Sequence, residues 1–246
     1  MICAVTVLRR RRMPVAALLA LAAAFVLAAP LVAIIGGELD GDGHPYVGAI
    51  GPPEPLFASG VLISPTVLLT AGHVTRRREG LGARVTFDPV VSSSSVWYTG
   101  TAHTNPAYDP QSANDPGDLG VVVLDTPVTG ITPASLPSEF LLDELGRQEL
   151  GETMFHVVGY GVPSNGTRKV AQQRFLSLTP EWVRLGLHEN GATCAGDSGS
   201  PSLVGDSDVI GGITIGGPSG CKNVVWDMRV DTPSARAFLG QYVTLP

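Results

Sequence analysis

The sequence predicts an all-β body, a barrel or a sandwich, closed by one helix at the C-terminus. Two observations carry that expectation. Short runs of β-branched and aromatic residues recur between residues 46 and 230, with turn residues such as Gly51-Pro52-Pro53 and Ser164-Asn165-Gly166 between them. Regularly spaced strands with few long helical periods argue for this class.

In chain order the expected strands are 46–50, 60–63, 67–70, 84–87, 96–101, 119–124, 154–158, 209–215 and 224–230. Each holds Val, Ile, Leu, Thr, Tyr or Phe, side chains that pack well on a pleated surface. A short helix is expected around 139–150. The closing helix has a clearer start. Thr232 is a good N-cap, Pro233 fits the first helical position, and Ala235, Phe238, Leu239 and Tyr242 share one face.

Residues 1–33 stand outside this pattern. Arg9 to Arg12 precede the apolar run 15–29, and Pro30 follows. A charged segment before an apolar one reads as an export signal. The apolar stretch also has the length of a membrane anchor, so an uncleaved, tethered form is the alternative. Removal of 1–33, with or without a short propeptide at 29–33, leaves 34–246 as one domain or two small halves. That part carries twelve basic and twenty-two acidic residues. Its net charge of −10 argues against nucleic acid as a partner. Cys3 lies in the leader; Cys194 and Cys221 are the other two cysteines. An even pair in an exported chain reads as one disulfide, against two separate buried thiols.

The candidate chemistry lies in three segments. In Thr193-Cys194-Ala195-Gly196-Asp197-Ser198-Gly199-Ser200-Pro201, Ser198 sits beside small residues, so a carbonyl group could approach it closely. Amide N–H groups near such a serine suit a developing oxyanion. Asp197 needs a partner if buried. Alone, the stretch could also be a surface turn. Val67-Leu68-Leu69-Thr70-Ala71-Gly72-His73-Val74 is a strand ending at a histidine, where a base could sit. Asp118 opens the apolar run Leu119-Gly120-Val121-Val122-Val123-Leu124. A carboxylate there is costly to bury unless it accepts hydrogen bonds, for example from an imidazole. His44, His103, His156 and His188 have no metal-type spacing and read as structural or surface residues. Asn165-Gly166-Thr167 is a glycosylation sequon.

In order, LTAGHV, DLGVVVL and GDSGSP resemble the trypsin/chymotrypsin-like serine proteases, whose motifs are LTAAHC, DIALL and GDSGGP. Ile34-Ile35-Gly36-Gly37 resembles the family's activated N-terminus. Val158-Gly159-Tyr160-Gly161 resembles its GWG strand, and the segment from Arg229 its closing helix. The resemblance spans 34–246, and short loops suggest a bacterial-type member. It implies two six-stranded antiparallel β-barrels, roughly 34–130 and 131–246, with the site between them. His73, Asp118 and Ser198 would be the catalytic residues, and the amides of Gly196 and Ser198 the oxyanion hole. Ala192, Thr214, Gly216 and Val225 (with Val224 as the other candidate at that position) would line the specificity pocket. A chargeless Ala192 implies small or medium apolar residues before the scissile bond. Ile34 would pair with Asp197 after cleavage, as in a zymogen. Cys194 and Cys221 would be bridged.

The resemblance implies a secreted, extracellular, monomeric endopeptidase with protein or peptide substrates, no cofactor and no metal. A protein inhibitor is a further partner left open. A membrane would be involved only if the leader is retained. A protease-shaped binding protein is the rival function, although such homologues usually lose a triad residue. The sequence also departs from the family. Ala58-Ser59-Gly60 and Val74 stand where cysteines of the histidine-loop disulfide are expected, so packing of Val74 would have to substitute for that bridge. Ser200 replaces a glycine.

Overall fold

The computed structural model describes residues 34, 37–51, 58–112, 117–161, 166–187, 191, 193, 196–217 and 224–246, all within the unit Val32–Pro246. Thirteen strands are described: β1 Glu38–Leu39, β2 Val47–Gly51, β3 Ala58–Ser64, β4 Val67–Thr70, β5 Gly82–Thr86, β6 Tyr98–Thr104, β7 Gly120–Leu124, β8 Met154–Gly159, β9 Lys169–Leu178, β10 Trp182–Leu187, β11 Pro201–Val204, β12 Ile210–Gly216 and β13 Val224–Arg229. Three α-helices accompany them, α1 Gly72–Thr75, α2 Leu141–Glu152 and α3 Pro233–Leu239, with a 3-10 turn at Arg76–Arg78. Among the described residues no helix is long and apolar enough to cross a membrane.

The strands close into two antiparallel barrels. The first runs β2-β3-β4-β7-β6-β5, and pairing of Ala49 with Thr86 and Ile50 with Val85 joins its ends. The second runs β8-β9-β10-β13-β12-β11, closed by β8 pairing with both β9 and β11. Closure leaves no strand edge along the circuit for another chain to extend. β1 adds to the second sheet through Glu38 opposite Val170. The segment after β7 is bonded to both barrels. Ala134 N donates to Leu62 O at 2.9 Å, and Ser135 exchanges hydrogen bonds with Asp208 and Ile210.

One continuous core fills both barrels. Val47, Val61, Leu68, Val85 and Val121 come from the first, and Leu203, Ile210, Ile213 and Met228 from the second. Ala235, Phe238 and Leu239 of α3 dock on the same core. The cap of α3 is as expected, with Thr232 Oγ1 accepting from Ala235 N at 3.3 Å. α2 lies two residues later than expected and is broken at Gly146 (φ +69). Its Leu142 and Leu150 pack on Phe155, Val183 and Leu185. Asp231 supplies its N-terminal acceptor, taking the Leu142 N–H at 2.9 Å.

Arg168, buried just before β9, holds the entering chain to both barrels. Its guanidinium donates to Asp40 Oδ2 at 2.8 Å, Gly41 O at 2.6 Å, Val47 O at 3.1 Å, Phe87 O at 3.0 Å and the Tyr160 hydroxyl at 3.2 Å. Burial pushes the Asp40 carboxyl up, but the hydrogen bond and charge of His44, with Arg168, outweigh it and hold it below its ordinary value.

Candidate active site

His73 sits in α1, the short turn of helix directly after β4. Asp118 precedes β7, the strand paired with β4, and Thr70 lies opposite Gly120 in that ladder. The register therefore brings the two side chains together. Asp118 Oδ1 accepts the His73 backbone N–H at 2.6 Å, and Oδ2 lies 2.8 Å from His73 Nδ1. The carboxylate is nearly buried, while about a third of the imidazole remains exposed. An N–H at Nδ1 directed to this carboxylate leaves Nε2 with its lone pair.

Ser198 lies in a tight turn leading into β11. Ser200 N donates to Asp197 O at 2.9 Å, and Gly199 N to Thr214 O at 2.8 Å. Gly196 and Gly199 adopt φ +90 and +86, values that strain side-chain-bearing residues. Space also excludes a side chain at Gly199, because a Cβ there would lie 2.1 Å from both Ser59 O and Thr70 Oγ1. This turn thus rests on β3 and on the end of β4, three residues before His73. Ser59 N completes the contact, donating to Ser198 O at 2.9 Å.

Asp197 is fully buried and accepts the Gly161 N–H at 2.9 Å. A Cβ at Gly161 would fall 2.5 Å from that carboxyl group. Ile34 is fully buried against Val157 and Ala171, with φ +34. Thr214 and Val225 are buried on β12 and β13, and Gly216 is exposed at the end of β12. Ala192, Cys194, Cys221, His188, Asn165 and the leader through Ala33, together with Ile35 and Gly36, lie outside the described residues. Among the described residues no three His, Cys, Asp or Glu side chains gather as a metal site.

A family model described as Trypsin matches residues 34–236. The chain belongs to the trypsin family.

Similarity to individual proteins agrees. The trypsin-family chain is 29% identical over 227 residues to a trypsin of Saccharopolyspora erythraea, covering 85% of this chain and 94% of that one. It is 28% identical over 201 residues to human granzyme M, covering 72% and 76%. A solved structure named HL collagenase superposes with a TM-score of 0.70 at 17% identity, covering 84% of this chain and 97% of that one. This likeness concerns the fold. As a trypsin-family member the chain is a serine-type endopeptidase that hydrolyses peptide bonds in protein or peptide substrates.

Three buried polar residues, Ser59, Tyr160 and Asp227, received no role from the sequence. Ser59 bridges the two barrels. Tyr160 N donates to Ser59 Oγ at 2.9 Å, and burial pushes the Tyr160 hydroxyl up to about 12. Asp227, opposite Thr214 across β12 and β13, accepts from Ser202 Oγ at 2.5 Å. Burial raises its carboxyl to about 7, only partly offset by the Ser202 and Thr214 hydroxyls. Ser59 and Asp227 stand in no motif, and Tyr160 stands in Val158-Gly159-Tyr160-Gly161 without a role assigned to it there. The one signal for Ser59 and Asp227 is a polar residue inside an apolar run.

Proposed function

We propose that hydrolysis proceeds through Ser198, His73 and Asp118. The double hold of Asp118 on His73 is the observation that carries the reading. Ser198 Oγ attacks the scissile carbonyl carbon while His73 Nε2 takes its proton. Asp118 fixes the tautomer and stabilises the imidazolium. The Gly199 amide is committed to Thr214 O on β12 and the Ser200 amide to Asp197 O. The Gly196 and Ser198 N–H groups are the donors assigned to the oxyanion, each worth roughly 3 kcal/mol. Collapse breaks the C–N bond, and the proton on Nε2 leaves with the amine. Water then attacks the acyl-serine by the same route, returning the proton to Ser198.

The chain is exported, and residues 1–33 are removed. Cleavage before Ile34 frees an amine for Asp197 and relieves Ile34 of φ +34, a costly conformation for a β-branched residue. A Cys194–Cys221 bridge ties the Ser198 segment to the pocket wall. The chargeless Ala192 and the buried Val225 favour small or medium apolar residues before the scissile bond.

The test is labelling of the exported protein by a fluorophosphonate, alongside peptide hydrolysis. Ser198→Ala should abolish labelling and lower turnover by about a million-fold. Hydrolysis by that variant at a wild-type rate would overturn the assignment. Peptide mapping should find the 194–221 bridge. A chain beginning at Ile34 should be active, and one retaining residues 29–33 nearly inactive; equal activity would remove the Ile34–Asp197 step. Cleavage of a substrate library mainly after Arg or Lys would contradict the pocket reading.

A further inference from the structure

We propose that Ser59 and Thr70 are positioning residues. Together they form a hydrogen-bonded platform that sets the height and register of the Ser198 turn against His73. The proposal rests on the reading of Ser198 and His73 given above and adds to it two side chains, Ser59 outside the three motifs and Thr70, the threonine of LTAGHV.

Every polar group of Ser59 is directed at the site's framework. Its N–H donates to Ser198 O at 2.9 Å. Its hydroxyl accepts from Tyr160 N at 2.9 Å, and the next amide, Gly161 N, holds Asp197 Oδ1 at 2.9 Å. Its carbonyl accepts from Thr70 Oγ1 at 2.7 Å. Ser59 therefore joins the turn bearing Ser198, the segment restraining Asp197 and the strand leading to His73. Both Ser59 and Thr70 are fully buried. The platform is tight, since a Cβ at Gly199 would lie 2.1 Å from Ser59 O and from Thr70 Oγ1. A Cβ at Gly159 would come within 3.0 Å of Ser59 Oγ and 2.7 Å of Asp197 Oδ1.

The position gives the arrangement its meaning. Ala58 and Val74 leave this part of the first barrel without a covalent tie, and Val74 is only partly buried against the core. Apolar packing is non-directional and tolerates small slides. Hydrogen bonds from a buried hydroxyl do not, because each displaced partner is left unsatisfied. Misplacement of a nucleophile by a fraction of an ångström slows the chemical step far more than it weakens binding.

The experiment compares Ser59→Ala, Ser59→Thr, Thr70→Val and Thr70→Ser with the wild type, with rates normalised to the sites titrated by the fluorophosphonate. Ser59→Ala and Thr70→Val should each lower kcat about tenfold, with KM within about twofold. Ser59→Thr and Thr70→Ser, which keep the hydroxyls, should stay near wild type. Amide hydrogen exchange over 196–200 should quicken in the first two variants and not in the second two. Wild-type kcat and exchange in both Ser59→Ala and Thr70→Val would overturn the platform. So would a loss of activity that vanishes on normalisation to titrated sites, since that marks a purely structural role. If either variant fails to fold, the other and its hydroxyl-retaining partner decide the question. If the wild type takes up no probe, the reading of Ser198 falls. The exchange rates of 196–200 then still judge the platform.

Discussion

Asp227 shows how one buried residue makes stability depend on pH. Its carboxyl rises to about 7 in the folded protein, against about 3.9 in an unfolded chain. Between these values the folded state binds the proton more tightly. The carboxyl's contribution is therefore full below pH 4 and is lost as pH rises towards 7. The loss from this group is at most about 1.4 kcal/mol per pH unit. Asp227→Asn, permanently neutral, should gain on the wild type as pH climbs through that window and match it near pH 4. Urea unfolding of both proteins at pH 4, 5.5 and 7.5 measures the gap, and a constant gap would refute the assignment. Asp227 Oδ1 has no hydrogen-bond partner among the described residues, which favours the neutral acid further.

Among the elements, α3 closes the molecule. Its seven residues are too few to hold as an isolated helix. Docking of Ala235, Phe238 and Leu239 on the shared core supplies its stability, and Thr232 satisfies one orphan N–H at its start. Thr232→Ala should cost about 1 kcal/mol, read as a lower midpoint in thermal unfolding with the peptidase rate unchanged. An unaltered midpoint would mean that docking alone fixes the helix. α2 is held differently. Arg229 bonds Asp143 and Asp231, and Asp231 in turn caps Leu142. That start is defined by a residue 89 positions away, so local capping signals place it two residues early.

At the scale of the whole molecule, Arg168 binds the entering segment to both barrels. Removing Arg168 leaves the buried Asp40 carboxylate with His44 as its remaining partner and takes the donor from Gly41, Val47 and Phe87 carbonyls. Arg168→Met should therefore cost about 3–5 kcal/mol, because Asp40 remains behind. The double variant Arg168→Met with Asp40→Asn should recover part of the loss. Chemical denaturation of the three proteins tests this. A single-variant loss below about 1 kcal/mol would show that the backbone hydrogen bonds around Val47 and Phe87 suffice on their own.

The sequence by itself determined the all-β class, the closing helix and the family, because each rests on local rules. Alternating apolar strands, a Thr-Pro helix start and the ordered motifs around His73, Asp118 and Ser198 are contiguous in the chain. The glycines at 196 and 199 announced a turn whose φ values few other residues tolerate. β9, β10 and β11 did not stand out. Lys169–Leu178 carries Gln172, Gln173 and Arg174 in mid-strand, and Gln173 is fully buried only because neighbouring strands enclose it. Only the tertiary structure decided that Glu38 and Leu39 join the second sheet, that Ser59 touches the Ser198 turn and that Arg168 reaches Asp40 128 residues away. The physical reason is common to all three. A buried polar group is stabilised by whichever partner the fold brings to it, and separation along the chain carries no record of that partner.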